Sequence, residues 1–209
     1  MTGSLKDEAE RILAPYKTTP GAVERIVAAY NEPWRTYHNE NHILQMLQLA
    51  SRENNLEIRQ RLEVLILYHD VWYKVGQPHG TNEHNSAEWA VSDFGDARDV
   101  ETVRLTRMLR QGIVATATHT LDKVNPNYVE EVSLLLDLDL WGLGQSAEYF
   151  QANTEAIWLE FQPIATRKQY DEGRAAWVKS FLKRDAIYHT EPYLGLEHKA
   201  RENLAALTD

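Results

Sequence analysis

Two ionisable residues, His69 and Asp70, stand side by side inside the apolar segment LILYHDVWY, residues 65–73. A carboxylate in a segment that otherwise suits the core is costly unless another group compensates its charge. A divalent cation would balance the carboxylate and use the neutral imidazole as a ligand. Because two adjacent side chains cannot complete a coordination shell, this chemistry predicts further ligands elsewhere in the chain.

Two other segments place ionisable residues where core residues are expected. His42 lies at the start of an amphipathic stretch in YHNENHILQML, residues 37–47, and Asp137 and Asp139 lie in LLLDLDLWGLG, residues 134–144. The sequence contains no cysteine, so the ligands must be His, Asp or Glu. Such ligands accept manganese, iron, cobalt, nickel, zinc or magnesium, and we expect one divalent ion of this group.

The elements that would position these residues are helical. Apolar residues recur at three- and four-residue steps along residues 56–73, 100–113 and 157–161, and the sequence shows no convincing strand alternation. We expect about nine or ten helices and an all-α fold, with the longest irregular piece at residues 75–85. Capping patterns mark three helix starts and one helix end: Ser4 with Asp7, Thr19-Pro20, Asn125-Pro126, and Gly95.

Composition and charge narrow the class of protein. The chain has 209 residues, 43% of them hydrophobic and 25% charged, as in an ordinary globular domain. Its formal net charge of -9 argues against binding to a nucleic-acid polymer or an anionic membrane surface, which would need a basic stripe. A small anionic substrate remains compatible with it, since a metal or a few local cations can override the global sign. With no secretory signal and no apolar run long enough to span a bilayer, the expected location is the cytoplasm.

Five ordered segments together resemble the HD-domain superfamily of metal-dependent phosphohydrolases, and in particular a bacterial branch of predicted phosphohydrolases. They are RTYHNENHI, YHDVWY, NEHNSAEWA, ATATHT and LDLDLWGLG, and the resemblance continues into YDEGRAAWVKSFLKRDAIYHT and ARENLAAL. The resemblance implies a single-domain helical bundle of the HD type over residues 1–209. The metal-site core would span roughly residues 35–145, with the C-terminal helices of residues 146–209 packed on it.

Carried over position by position, the resemblance implies that His42, His69, Asp70 and Asp139 are the metal ligands. Asp139 is preferred over Asp137 because the last ligand of the family usually precedes the hydrophobic residue that begins the next turn. Asp137 is then expected to line the substrate pocket or to support a ligand.

Two further residues are candidates for proton transfer, which phosphoester hydrolysis requires. Glu83 matches the family's Asn-Glu element at the start of a helix and could act as a base or orient the attacking water. Its alternative role is to complement the helix dipole beside an Asn82 cap. His119 matches a threonine-then-histidine element and could donate a proton or hold a phosphate oxygen, or it could be a structural histidine.

Arg35 and His38 are candidate substrate contacts. His38 lies four residues before His42 and would share its helix face if the helix extended that far. Arg35 could contact a phosphate, although an arginine near a helix start is as often solvated.

The resemblance implies a hydrolase that cleaves a phosphate ester or anhydride in a small phosphorylated molecule, with nucleotides as the leading class. One alternative is a dinuclear iron oxygenase on the same scaffold, with His84 and His119 serving a second metal. Another is a metal-stabilised binding module without turnover. The WGLG segment and the aromatic C-terminal helices could close the core or form a homodimer interface.

Overall fold

The computed structural model describes residues 3–95 and 99–208, and no strand occurs among them, which confirms the all-α prediction. These residues form eleven α-helices: α1 (Leu5–Leu13), α2 (Ala22–Tyr30), α3 (Glu40–Ala50), α4 (Leu56–Tyr68), α5 (Thr81–Phe94), α6 (Val100–Thr116), α7 (Val129–Asp139), α8 (Ala147–Phe161), α9 (Arg167–Leu182), α10 (Glu191–Leu194) and α11 (Glu197–Ala205). Two short 3-10 turns, Pro126–Tyr128 and Trp141–Gly144, flank α7. The sequence predicted slightly fewer helices because a four-residue helix such as α10 is too short to show a period.

Two central helices, α4 and α7, place the predicted ligands His69 and Asp139 at their C-terminal ends. Helix α4 packs against α1, α3, α6 and α7 and is buried continuously over residues 62–68, while α7 is buried over residues 131–138. A helix that is apolar on all sides belongs in a core, which explains why neither has a single apolar stripe. Because helix C-termini carry partial negative charge, two such ends brought together favour a cation.

The capping predictions were right at most positions. Ser4 and Asp7 form a complete capping box, Asn125 caps the turn before α7, and Gly95 ends α5 with a φ of 64°. The prediction at Thr19-Pro20 was wrong, since Gly21 is the N-cap of α2 and no side chain donates or accepts a capping hydrogen bond there. Thr19 instead donates its hydroxyl to the carboxylate of the buried Asp93, at 2.7 Å.

Helix α4 ends earlier than the apolar pattern predicts. It stops at Tyr68, with His69 as its C-cap, whereas the stripe continues to Tyr73. The turn that follows is held from outside the helix, because the backbone carbonyls of Asp70 and Val71 accept hydrogen bonds from the guanidinium of Arg35. The irregular segment is also displaced, since it occupies residues 69–80 and α5 already begins at Thr81.

The C-terminal helices close the core against the turn that follows α7. Gly144 lies so close to α11 that a Cβ at this position would be 2.6 Å from the Cβ of Leu196. The side-chain amide of Asn203 donates to the carbonyls of Leu143 and Gln145 at 2.8 and 2.9 Å. The WGLG segment thus serves the packing of this chain.

Helix length bears on the expectation about membranes. The longest helix of residues 3–95 and 99–208 is α6, with 17 residues. Spanning a bilayer takes about 20 predominantly apolar residues, and no described helix is both long and apolar enough to do so.

Candidate metal centre

His42 and His69 reach the site from neighbouring helices. Asn39 caps α3 by accepting the N–H of Asn41 at 2.9 Å, which places His42 in the first turn with its side chain buried. His69 is 1% exposed, and its Nδ1 lies 2.9 Å from the carbonyl of Ile66. Because a carbonyl can only accept, Nδ1 carries the proton, and Nε2 of the neutral ring is left with a lone pair.

Asp139, the last residue of α7, lies between three imidazoles. Its Oδ1 is 3.3 Å from Nε2 of His42 and 3.8 Å from Nε2 of His69. Its Oδ2 accepts a hydrogen bond from Nε2 of His119 at 2.9 Å. Burial opposes ionisation of Asp139, but the hydrogen bond from His119, the close contact with His42 and the charges of the neighbouring histidines hold its pKa well below the ordinary range.

The donor atoms of His42, His69 and Asp139 fit a metal ion. All three lie within 4.8 Å of one another. The Nε2 atoms of His42 and His69 are buried and have no hydrogen-bond partner in the described part of the chain. Ligands of a divalent metal lie about 2.0–2.2 Å from it, so two ligands of one ion are roughly 3–4 Å apart, and the 3.3 and 3.8 Å from Oδ1 of Asp139 to the two Nε2 atoms are in this range. Buried polar atoms normally have a partner, and a cation would provide it for both nitrogens.

Asp70 lies beside this group, outside the set of three mutually close donors. Its Oδ2 is 3.2 Å from Nε2 of His69, and its carboxylate is largely buried. Burial opposes the charge, but the adjacent His69 outweighs it and lowers the pKa of Asp70. The structure therefore places the fourth predicted ligand next to the other three.

Arg35 has a different environment from the one predicted. It is buried, its Nη atoms donate to the carbonyls of Asp70 and Val71 at 2.8 and 3.1 Å, and its Nε donates to Glu32 at 2.9 Å. A third carbonyl, that of His38, lies 3.3 Å from Nη1. With its donors directed at the backbone around the site, Arg35 supports the turn that carries Asp70.

His38 precedes α3, which begins at Glu40, so the helix does not extend to it as the sequence analysis considered. Its Nδ1 donates to Oε2 of Glu160 at 2.7 Å, and its ring stacks on Tyr73 with centroids 4.0 Å apart. Glu160 is 1% exposed and was missed by the sequence analysis. The signal was present, because Glu160 interrupts an apolar stripe of α8 as Asp70 interrupts its own segment.

Asp137 and Asp139 have different surroundings although only one residue separates them. Asp137 is fully buried and accepts hydrogen bonds from the N–H groups of His189 and Thr190, both at 2.7 Å. The hydroxyl of Thr190 is a third donor to it, at 2.5 Å. The three donors hold Asp137 against the segment before α10, and Asp139 is the one that reaches the histidines.

Glu83 lies in the first turn of α5 and is half-buried. Burial raises its pKa, the charge of Asp70 raises it further, and the charges of His79 and His119 oppose this. The helix is capped by Gly80, not by Asn82, whose side chain pairs with the backbone of Lys74 at 3.1 and 3.2 Å. Glu83 is thus electrostatically coupled to Asp70 and His119.

His119 follows α6 in the left-handed region, with a φ of 49°. Two carbonyls of this turn, those of Thr118 and His119, accept hydrogen bonds from the guanidinium of Arg184 at 2.7 and 3.1 Å. Arg184 therefore stabilises the backbone conformation that directs the imidazole towards Asp139. By contrast, the side chains of His79 and His84 are exposed, and neither belongs to the group of close donors.

A cavity of about 120 Å³ opens beside Asp139. His38 and His119 line it, together with Tyr37, Phe150 and other side chains of α8 and α9. Burial and the charge of Asp139 raise the pKa of Tyr37 far above its usual range, so its hydroxyl stays protonated. The cavity gives a small molecule a place to lie against the candidate metal ligands.

The likeness to HD-domain proteins rests on the short motifs, since no family model matches the chain and no curated protein matches it significantly. Independently of these comparisons, the geometry shows that His42, His69 and Asp139 form a largely buried group that could hold a metal ion beside a cavity.

Proposed function

We propose that this protein is a metal-dependent phosphohydrolase of the HD type, acting on a small phosphorylated molecule. The observation that carries the proposal is the pair of buried, unpartnered Nε2 atoms of His42 and His69, both facing Oδ1 of Asp139 at the edge of a cavity. The reaction class and the preference for nucleotides come from the motif resemblance.

His42, His69 and Asp139 would hold one divalent ion, with Asp70 beside them as the fourth ligand. When bound, such an ion polarises a phosphoryl oxygen and lowers the pKa of water, which makes water a nucleophile at neutral pH. Within residues 3–95 and 99–208 there is one group of close donors, and His84 is exposed, which together favour one ion over two.

The chain's own residues supply the proton transfers. Glu83 has a raised pKa, which suits a group that takes a proton from water near neutral pH. His119 donates to Oδ2 of Asp139, and this hydrogen bond fixes the orientation of the carboxylate while Oδ1 faces the histidines. His38, held by Glu160, is a second donor on the cavity wall.

The proposal is tested by measuring metal content and turnover together. We expect one equivalent of divalent metal per chain and metal-dependent release of phosphate from a panel of nucleotides and other phosphomonoesters. Glu83→Gln should keep its metal and lose about 10²–10⁴-fold in kcat. Glu88→Gln, on the same helix with its carboxylate in an exposed ion pair with Arg110, is the matched control and should retain activity.

Other results of the metal and turnover measurements would contradict the proposal in different ways. Two equivalents of iron with consumption of dioxygen would replace the hydrolase by the dinuclear oxygenase. Bound metal with no turnover on any phosphoester would leave a metal-stabilised binding module. A protein that retains no metal after reloading would overturn the metal centre itself.

A further inference from the structure

Arg174, on α9, lines the same cavity as Asp139 and His119. Its guanidinium lies over the ring of Trp177, with Cζ 4.1 Å from the centroid. Its Nε is buried and, among residues 3–95 and 99–208, has no hydrogen-bond partner. This differs from Arg35 and Arg184, whose guanidinium groups donate to backbone carbonyls.

No carboxylate of the described residues compensates the positive charge of Arg174. Burial lowers the pKa of its guanidinium, and no described carboxylate contributes to restoring it. An arginine side chain nevertheless stays protonated in proteins. The side chain of Arg174 is half-buried, with its Nε fully enclosed, so an anion that enters the cavity can reach the guanidinium and pair strongly with it.

The cavity around Arg174 limits what that anion can be. Its volume of about 120 Å³ is comparable to an engineered cavity of about 150 Å³ that holds one benzene molecule. Pockets that enclose a whole drug-sized ligand are about 300–1,000 Å³. Gly142 helps keep the cavity open, because a Cβ there would lie 2.9 Å from Nδ2 of Asn153. The cavity is partly open to solvent, and its interior has room for about one phosphate-sized group.

We propose that Arg174 binds the terminal phosphoryl group of a phosphomonoester and holds it in the cavity beside Asp139. The planar guanidinium can donate two parallel hydrogen bonds to two oxygens of one phosphate. The rest of the substrate, a nucleoside included, lies outside the cavity, so a phosphodiester substituted on both sides does not fit. The identification of the anion as a phosphoryl group rests on the proposed function, whereas the need for an anion rests on the uncompensated charge.

The test compares Arg174→Met with Arg167→Met. Arg167 is on the same helix and also lies over a tryptophan ring, but it is exposed and paired with Glu155 and Asp171, each at 2.8 Å. Binding of inorganic phosphate is measured by calorimetry on manganese-loaded and metal-free protein, with metal content verified and with acetate and dimethyl phosphate as comparison anions. We expect Arg174→Met to bind phosphate about 10- to 100-fold more weakly than the wild type and Arg167→Met to match the wild type.

A thermal measurement separates binding from structural support. Without ligand, Arg174→Met should melt at or above the temperature of the wild type, because the substitution removes an uncompensated charge. A large fall in melting temperature that Arg174→Lys restores, with phosphate affinity unchanged in the lysine variant, would overturn the inference. Equal affinity of Arg174→Met and wild type for phosphate would overturn it directly.

The outcomes also distinguish this inference from the proposed function. Arg174-dependent phosphate binding without turnover of any phosphomonoester would uphold the anion site and overturn the reaction. Turnover that Arg174→Met leaves unchanged would uphold the reaction and overturn the anion site. Equally tight, Arg174-dependent binding of acetate or dimethyl phosphate would overturn the restriction to a phosphomonoester.

Discussion

The carboxylate of Glu160 holds His38, a residue 122 positions earlier in the chain, by its side chain and its backbone. Oε2 accepts from Nδ1 of His38 at 2.7 Å, and Oε1 accepts the N–H groups of Tyr37 and His38 at 2.8 and 2.9 Å. Helix α8 thereby fixes the turn that leads into α3 and, through it, the position of His42.

The first prediction concerns the pH dependence of this pair. Burial opposes ionisation of both groups, but the bond between them outweighs it, so the pKa of His38 is raised above 6.5 and that of Glu160 is lowered below 4.5. The contribution of His38 is complete below pH 6.5 and is lost as the pH rises through its folded pKa. That of Glu160 is complete above pH 4.5 and is lost as the pH falls through its folded pKa.

Glu160→Gln should therefore destabilise the protein most between about pH 4.5 and 6.5, by roughly 3–5 kcal/mol. Urea unfolding of both proteins from pH 4 to pH 9 measures the difference. Glu155→Gln, on the exposed side of the same helix, is the control. A loss of stability that stays constant with pH would contradict an ionic pair.

The second prediction concerns metal affinity and pH. Burial lowers the pKa of His69, but the charge of the adjacent Asp70 carboxylate raises it more, to about 9. An ion requires the neutral imidazole, so binding releases the proton of His69 below this pKa. Affinity should rise up to tenfold per pH unit towards pH 9. Calorimetry in buffers of different ionisation enthalpy counts the protons released, and a count of zero at pH 7 would contradict the assignment.

The third prediction separates the two late aspartates. Asp139→Asn should lose the metal, because it removes the charged oxygen that faces His42 and His69. Asp137→Asn should keep the metal but lose about 1–3 kcal/mol of unfolding free energy, since it weakens three buried hydrogen bonds. Elemental analysis and denaturation of both variants make the comparison, and the reverse result would exchange their roles.

The fourth prediction concerns Arg35. Arg35→Met should lower the unfolding free energy by about 2–4 kcal/mol, because it leaves the carbonyls of Asp70 and Val71 without a donor. Denaturation measures this loss, and steady-state kinetics provide the contrast. An unchanged stability with a raised KM would instead support the substrate contact that the sequence analysis expected.

Local signals in the sequence predicted much of the fold. The capping box at Ser4 and the glycine end of α5 depend on residues within a few positions of each other, so their chemistry is visible in the sequence. The helical class followed from apolar periodicity. The end of α4 was predicted wrongly because Arg35, more than thirty residues earlier, holds the backbone of Asp70 and Val71 in the turn that follows the helix, and this contact depends on tertiary packing.

The candidate site was predictable where an ionisable residue interrupts an apolar run. His42, His69 and Asp139 each show that anomaly, and the structure brings them together. The partners of Arg35, Asp137 and Glu160 were not predictable, since each bridges segments whose proximity depends on tertiary packing. The sequence identified the residues whose side chains could do chemistry. The tertiary surroundings of each residue determine whether it faces the cavity.

Residues near the C-terminus hold the backbone around the candidate ligands without belonging to them. Arg184 donates to a carbonyl in the turn of His119, and Thr190 donates to the carboxylate of Asp137, two residues before Asp139. A chain shortened before Arg184 would keep every predicted ligand yet lose both of these anchors. During synthesis, therefore, ion capture should follow the docking of Arg184 and Thr190, so metal binding would report that this segment has packed beside the site.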